Sequence, residues 1–344
     1  MNRTGWAAAR LAGGAAILAV LVWRLGTGPI LAGLASVNGW SLVAAVAIGV
    51  LTTVCSAWRW RLVAAGLGVG VPLRTAVAAY YRSQLLNTAL PGGVLGDVHR
   101  AVRHGRQSGN LSRSLRAVAW ERAAGQLVQA VLALLVLLAL PSPVRLAMPV
   151  VVSVVLLAGL GAVLLVRTLP RQGPSRRART LRAIRADLRE GLLASRAWPG
   201  ITAAAALAVT GHAATFLLAA RTAGSTAPIG QLLPLAMLVL LAMAVPINIG
   251  GWGPREGTAA WLFGAAGLGV GQGVTIATVY GVLVLVASLP GLAVLAATWL
   301  RRVGRSPTPA GQRLPTGGVP SDDRSGAPSN PDVAARLSEG VAGG

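Results

Sequence analysis

The sequence contains no lysine, one cysteine and only nine acidic residues among its 344 positions. The cysteine, Cys55, has no partner for an internal disulfide, so cysteine usage indicates no redox compartment. Charged residues make up 12% of the chain, whereas a soluble domain normally carries about 25%. This shortage of charge argues against a soluble domain.

Long apolar runs account for the missing charge, and 54% of the residues are hydrophobic. A transmembrane helix needs about 20 mostly apolar residues, and the runs lack the polar alternation of an outer-membrane barrel. The sequence therefore predicts an all-α polytopic membrane helix bundle with six to eight transmembrane helices. Another apolar stretch, Leu11–Trp23, has no convincing cleavage site after it and predicts a first, short or tilted helix. The longer runs are 41–57, 126–140, 146–166, 201–220, 231–247 and 273–300.

The basic residues, all 31 of them arginine, give a net charge of +22. Such a charge would suit a nucleic-acid-binding protein, but the arginines cluster in segments between apolar runs. Segments 59–116 and 167–196 carry nine each, and the intervening turn at 141–145 carries only Arg145. By the positive-inside rule this alternation places both termini in the cytoplasm of a multi-pass cell-membrane protein. We expect contact with anionic headgroups at the cytoplasmic face and no nucleic-acid partner.

Two segments do not fit simple spans. Residues 74–96 contain several polar side chains and break at Pro91-Gly92-Gly93, and residues 231–268 break at Pro246–Gly253. Non-helical backbone at membrane depth is tolerated where it is buried in protein or lines a cavity. In transporters built from two repeats, helices broken by glycine at corresponding places of the two halves of the chain mark the substrate-binding site. We predict two re-entrant or broken helical segments; whether 231–268 spans or re-enters, and whether the two breaks are true repeats, stays open.

Three acids lie in or beside the apolar stretches: Asp97, Glu121 and Glu256. An ionisable group at membrane depth costs about 2.5–3.5 kcal/mol on insertion scales, so it usually marks a substrate path or a buried pair. Asp97 and Arg100 are three residues apart and share a helical face. Glu121 either forms an interfacial pair with its neighbour in sequence or pairs with arginines of the first broken segment.

Arg255 is among the few basic residues outside the cytoplasmic segments. It either neutralises Glu256 or holds a phosphate with two hydrogen bonds. We expect the three acids, Arg100 and Arg255 to line a central cavity, with Arg82 and Asn87 behind them. The full set of candidate substrate-binding residues is Arg82, Asn87, Gly92, Gly93, Asp97, Arg100, Glu121, Arg122, Gly250, Gly251, Arg255 and Glu256.

No enzyme motif stands out in the sequence. The three histidines show no metal-binding spacing, and neither a phosphate-binding loop nor a nucleophile elbow is present. His212 falls in an apolar run, where a packing role is the favoured interpretation. We therefore expect no enzymatic activity, no metal and no cofactor.

Three motifs follow one another along the chain: Arg82 with Asn87, Leu90-Pro91-Gly92-Gly93, Gly96-Asp97 and Arg100; Glu121-Arg122 with Gly125; and Pro246, Gly250-Gly251, Gly253 and Arg255-Glu256. In this order they resemble the lysylphosphatidylglycerol synthase transmembrane-region family, the flippase-like domain of bacterial multiple peptide resistance proteins. The resemblance covers roughly residues 10–300. It implies a bundle with re-entrant elements that binds or moves a lipid, which in the full synthases is an aminoacylated phosphatidylglycerol. Members often carry an arginine several turns after the Arg-Glu-Gly motif, where this chain has Tyr280.

The resulting hypothesis is an integral membrane protein that binds or translocates a phospholipid or a polyprenyl-phosphate-linked lipid. The alternative is a non-transporting accessory or scaffold protein of envelope lipid or glycan synthesis. We expect a transmembrane flippase-like domain over residues 1–303 and a disordered cytoplasmic tail over 304–344. The synthase activity of the family resides in a separate soluble domain, so we expect this chain to lack it. Homo-oligomerisation and an envelope-synthesis partner stay open.

Overall fold

Helices form the framework of this protein, whose structure is a computed structural model. The structure describes residues 16, 17, 19–90, 93–140, 187, 197–243 and 252–303. The helices are α1 (Ala19–Leu25), α2 (Gly28–Ser36), α3 (Gly39–Gly66), α4 (Leu73–Ala89), α5 (Leu95–Ser108), α6 (Leu111–Ala139), α7 (Trp198–Thr222), α8 (Ile229–Ala242), α9 (Pro254–Ala265), α10 (Val270–Ser288) and α11 (Pro290–Val303). The predicted all-α membrane bundle is confirmed.

Four helical stretches in the described part are long and apolar enough to cross a membrane: α3, α6, α7 and Val270–Thr298. The 28 residues of α3 extend about 42 Å at 1.5 Å per residue, more than the roughly 30 Å of a hydrocarbon core. This helix starts sharply because Asn38 and Ser41 cap it reciprocally, at 2.9 and 3.2 Å. The predicted span at 146–166 lies outside the described residues.

A sharp bend follows the first predicted helix, Leu11–Trp23, of which the structure describes residues 16, 17 and 19–23. The axes of α1 and α2 differ by 95°, and the bend falls at Gly26, whose φ is +69°. Glycine adopts this left-handed conformation without a steric penalty. Counted as one broken span, the pair raises the number of candidate spans in the described residues to five.

The first predicted break separates α4 from α5. Leu90 is extended, with ψ of 146°, because a proline follows and disfavours helical backbone before it. The two helices then pack very closely: a Cβ on Gly96 would lie 2.8 Å from the carbonyl carbon of Ser83. Only glycine permits this approach, which brings the first turn of α5 against the last turns of α4.

The second predicted break separates α8 from α9, which have 14 and 12 residues. Pro254 opens α9 directly after Gly253, whose φ is +121°. The backbone N–H of Gly253 donates to the Glu256 carboxylate at 2.7 Å, which fixes the start of the helix. Both helices are short for a span, as the sequence indicates, and residues 244–251 between them lie outside the described residues.

Two apolar cores support the polar residues. One joins α7, α8, α9 and α10, where the Phe216 ring lies 6.4 Å from Phe263 and 5.8 Å from Tyr280, centroid to centroid. The other joins α3, α4, α5 and α6 around the fully buried Trp60. Buried aromatic side chains contribute much of the packing energy of a core, so these two cores hold together the helices that carry the polar residues.

Candidate functional site

A polar cavity of about 270 Å³ lies within the apolar bundle. Residues of α3, α4, α6, α7, α9 and α10 contribute to it. Polar side chains at membrane depth are costly and mark substrate paths, so this cavity is the candidate functional site. Its polar lining consists of Thr52, Thr53, Ser56, Arg59, Tyr80, Gln84, Asn87, Thr88, Arg122, Gln126, Gln129, His212, Thr215, Arg255 and Ser288.

Asp97 lies beside the cavity in the first turn of α5, where the helix dipole favours a carboxylate. Ser83 Oγ and Asn87 Nδ2 of α4 donate to it at 3.0 and 3.1 Å. Arg100 donates at 2.9 Å, and Arg122 of α6 donates to its other oxygen. With four donors, this buried carboxylate is satisfied and joins three helices.

Glu121 of α6 is completely buried and collects donors from three other helices. Arg59 Nε of α3 and the Tyr80 hydroxyl of α4 each donate to Oε1 at 2.9 Å, and Arg100 donates to Oε2 at 3.0 Å. The Tyr80 hydroxyl therefore serves as a hydrogen-bond donor to a carboxylate that α3, α5 and α6 share.

Arg100 connects the two carboxylates. One of its terminal nitrogens bonds both Asp97 and Glu121, and its guanidinium lies 4.6 Å from the Trp60 ring centroid and 4.2 Å from that of Tyr80. Its Nε and Nη1 have no hydrogen-bond partner within the described part of the chain. Two carboxylates and two aromatic rings therefore surround the Arg100 guanidinium.

A second ion pair lies in α9, where Arg255 Nε donates to Glu256 at 2.8 Å. The Arg255 guanidinium lies 5.4 Å from the Trp252 ring centroid and 5.7 Å from that of Tyr280. Both members of the pair are buried from bulk solvent, yet Arg255 lines the cavity. The arrangement fixes the guanidinium before any ligand arrives.

Two glycines make room for cavity arginines. A Cβ on Gly125 of α6 would lie 2.9 Å from Cζ of Arg59, and a Cβ on Gly281 of α10 would lie 2.9 Å from Cζ of Arg255. Both distances are too short for ordinary van der Waals contact. Each guanidinium thus occupies the space that the missing side chain leaves.

The family follows from comparison with known proteins. A family model described as "Lysylphosphatidylglycerol synthase TM region" matches residues 7–303. The chain belongs to this family. No curated protein and no solved structure matches it. Together with the candidate spans, membership confirms the resemblance and establishes a multi-pass membrane protein of a family concerned with lipids of the cell envelope.

The structure brings most of the predicted site residues of this family member together. Asn87, Gly93, Arg122 and Arg255 line the cavity. Gly92, Gly250 and Gly251 lie outside the described residues. Arg82 is buried but is not part of the lining. The three acids and Arg100 are likewise not among the lining residues, so their positions and that of Asn87 are the reverse of the expectation.

The reversal has a physical cause. A buried carboxylate needs several donors, and these surround Asp97, Glu121 and Glu256 on the sides facing protein. An arginine can satisfy a carboxylate with one edge and retain donors on the other. Three cations of these pairs, Arg59, Arg122 and Arg255, line the cavity, whereas Arg100 does not.

Arg59 is not among the predicted site residues, because it lies in an arginine-rich segment assigned to the cytoplasm. A sequence pattern nevertheless indicates its position in the site. Thr52, Ser56 and Arg59 recur at intervals of four and three on an otherwise apolar helix, which puts them on one face. The same spacing holds for Arg122, Gln126 and Gln129 on α6. Such polar stripes within apolar helices would have identified both cavity walls.

Tyr280 and His212 lie together beside Arg255, and the sequence predicted neither position. Tyr280, where members of the family often carry arginine, packs under Arg255 and places its hydroxyl 3.4 Å from Nδ1 of His212. His212 lines the cavity rather than only filling space. The third guanidinium of the cavity comes from Arg59 of α3. Within the described residues, no group of three or more His, Cys, Asp or Glu side chains is placed to hold a metal ion.

Proposed function

We propose that the protein binds a membrane lipid with its headgroup in the polar cavity and translocates it across the cytoplasmic membrane. The observation that carries the proposal is the placement of Arg59, Arg122 and Arg255 around one polar cavity within apolar helices. Guanidinium groups bind phosphate oxygens through paired hydrogen bonds. Family membership supports a lipid as the ligand.

The proposed movement is alternating exposure of the headgroup site to the two leaflets. The broken segments α4–α5 and α8–α9 support it, because Gln84, Asn87, Gly93 and Arg255 of these segments line the cavity. We propose that both termini are cytoplasmic and that the chain has no enzymatic activity. The saturated carboxylates support the latter, since Asp97, Glu121 and Glu256 each accept several hydrogen bonds and are poorly placed to act as bases.

A vesicle assay tests the proposal. The purified protein is reconstituted in liposomes with fluorescent phospholipids, and dithionite then quenches only the outer leaflet. We expect the protected fraction to fall in vesicles that contain protein, and to recover with Arg255→Gln. Arg221→Gln is the matched control, because Arg221 is exposed and bonds only the Ser225 carbonyl at 2.7 Å in the described structure.

Two results would contradict the proposal. One is equal protection in vesicles with and without the folded protein; the other is equal lipid movement in the native protein and Arg255→Gln. Binding of lipid without movement would favour the accessory or scaffold alternative. A monodisperse elution profile and an unchanged melting temperature establish that each variant is folded.

A further inference from the structure

We infer that the lipid enters the cavity sideways from the bilayer, through an opening between the α4–α5 break and α6, and that its hydrocarbon chains lie on an apolar surface beside this opening. This entry surface consists of Val94, Leu95 and Val98 at the start of α5 and Leu127 of α6. The inference rests on the proposed function and adds the route of the lipid and the contact of its chains.

The first two turns of α5 have their faces arranged as in a helix that borders hydrocarbon. Asp97 and Arg100 are buried against the other helices, whereas Val94, Leu95 and Val98 are exposed. A helix on the surface of a water-soluble protein has its apolar side chains inward and its charged ones outward. Exposed apolar side chains are favourable only where they are kept from water. The start of α5 therefore lies among lipid chains.

The other end of α5 limits the depth of the break. Arg106 and Gln107 are exposed and polar, which suits the membrane–water interface. Leu95 and Arg106 lie on one helix, and at 1.5 Å per residue they are about 16 Å apart along its axis. That is about half of the roughly 30 Å hydrocarbon layer. The break can therefore reach the middle of the membrane, at the depth of a cavity within the spans.

The turn of the break separates the cavity from the entry surface. Gly93 lines the cavity, and the next residue, Val94, is exposed on the outside of the bundle. Gly93 has a φ of +60°, which glycine adopts without a steric penalty. Because glycine has no side chain, the wall between the cavity and the bilayer is only backbone at this residue.

Arg122 of α6 is the accessible guanidinium of the cavity. Its side chain is 44% accessible, compared with 8% for Arg59 and 5% for Arg255, although all three line the cavity. A group that both lines a cavity and is open to the outside lies at its mouth. The mouth is therefore on the side of the cavity where Arg122 lies.

Arg122 also connects the two sides of the opening. It donates to Asp97 in the first turn of α5, so the start of α5 lies against α6. On α6 it is next to an exposed stripe that contains Ala123 and Leu127. A charged side chain that borders hydrocarbon is costly. A lipid whose phosphate lies at Arg122 and whose chains lie along Leu127 and the start of α5 offsets that cost.

Photocrosslinking of lipid chains tests the contact. The protein in phosphatidylcholine nanodiscs receives a trace of phosphatidylglycerol with a diazirine on one acyl chain, and mass spectrometry maps the labelled residues. We expect labelling of the entry surface about tenfold above that of Leu135 and Leu138, equivalent to about 1.4 kcal/mol of preferential binding. Both comparison residues are exposed on α6, so ordinary contact with the bilayer would label all of them alike. Arg255→Gln should lower the labelling of the entry surface alone, because it weakens the headgroup site.

A bulky residue at the opening tests the route. Val94→Trp fills space beside Gly93 and removes no charged group, so lipid movement in the dithionite assay should fall about tenfold, or about 1.4 kcal/mol in the barrier. Leu138→Trp is the matched control, since Leu138 is an exposed apolar residue near the other end of α6. It should leave lipid movement unchanged.

The outcomes separate the two proposals. Equal labelling of the entry surface and Leu138, labelling that Arg255→Gln does not alter, or native lipid movement in Val94→Trp would overturn the inference and leave the proposed function standing. Weak labelling in particles that hold two copies of the chain would identify a second copy as the occupant, which also overturns it. If Val94→Trp does not fold, the labelling and its response to Arg255→Gln decide the question. Absence of lipid movement in the native protein together with uniform labelling would overturn both proposals.

Discussion

The glycine at position 125 explains why Arg59 can lie inside a membrane helix bundle. Any side chain there would occupy the volume of the guanidinium. A side chain there would displace the Arg59 guanidinium, whose bonds to Glu121 join α3 to α6. Gly125, which has no side chain, thus makes room for the Arg59 guanidinium.

We expect Gly125→Ala to destabilise the protein by about 1–3 kcal/mol, the usual cost of overpacking a close contact, and to abolish lipid movement. Melting in detergent and the dithionite assay measure the two effects. Gly230→Ala is the control, since a Cβ at this helical position would contact nothing within 4 Å. An unchanged melting temperature for Gly125→Ala would show that Arg59 has another accessible position.

The Glu121 carboxylate pairs with Arg59 and Arg100. A neutral glutamine at this position would leave buried positive charge without its counter-ion. We expect Glu121→Gln to cost about 3–5 kcal/mol of stability, typical for removal of one partner of a buried ion pair. The double variant Glu121→Gln with Arg59→Gln should recover part of the loss, because both partners are then neutral. A double-mutant cycle of melting temperatures measures the coupling; additive losses would contradict direct pairing.

The sequence left the partner of Glu121 open, and the reason is distance along the chain. Arg59 lies 62 residues before Glu121, and a local pattern reports only neighbours three or four residues apart. The Asp97–Arg100 pair, in contrast, was predictable from its spacing and is present. Short-range pairs follow from helical geometry, and long-range pairs require the packing of helices to be known.

The pairing of α4 with α5 places Asp97, and its position depends on how closely two backbones approach. Proline and glycine in the sequence correctly predict where the first helix pair breaks. They do not predict that Gly96 contacts Ser83, because that contact depends on the direction in which the chain continues after the break. The location of a break is a local property, and its geometry is a tertiary one.

We expect Gly96→Ala to separate α5 from α4 and to weaken the bonds of Asp97 to Ser83 and Asn87. Its Cβ would meet backbone, which cannot rotate away as a flexible side chain would. Lower thermal stability and loss of lipid movement are the expected results. Gly39→Ala, whose Cβ would meet nothing within 4 Å, is the control. Native-like activity of Gly96→Ala would mean that this contact does not position Asp97.

The orientation of the whole molecule follows from the alternation of arginine-rich and arginine-poor segments, and it remains a prediction. The helical bundle, its breaks and its family were predictable because hydropathy, Pro–Gly punctuation and motif order are properties of the chain itself. The cavity walls were only partly predictable. They depend on which faces of α3, α6 and α7 meet, and Arg59 shows what is missed without that knowledge.

Single cysteines in a Cys55→Ala background test the orientation. A membrane-impermeant maleimide applied to intact cells should label Thr226→Cys, in the loop between α7 and α8 that the predicted orientation places outside. It should label Gln107→Cys of α5 only after the cells are permeabilised. Both positions are exposed, so a difference reports sidedness, and Cys55→Ala alone gives the background. Labelling of Gln107→Cys in intact cells would invert the proposed topology.

The fixed ion pairs beside the cavity have an electrical consequence. Moving one elementary charge across a potential of 100 mV takes about 2.3 kcal/mol. In alternating exposure the arginines and the carboxylates that pair with them stay in place, so the charge that crosses the membrane is that of the lipid. Movement of a singly anionic lipid in vesicles with an imposed potassium diffusion potential should therefore vary with voltage as a single charge does. A steeper dependence would show that charges of the protein move as well.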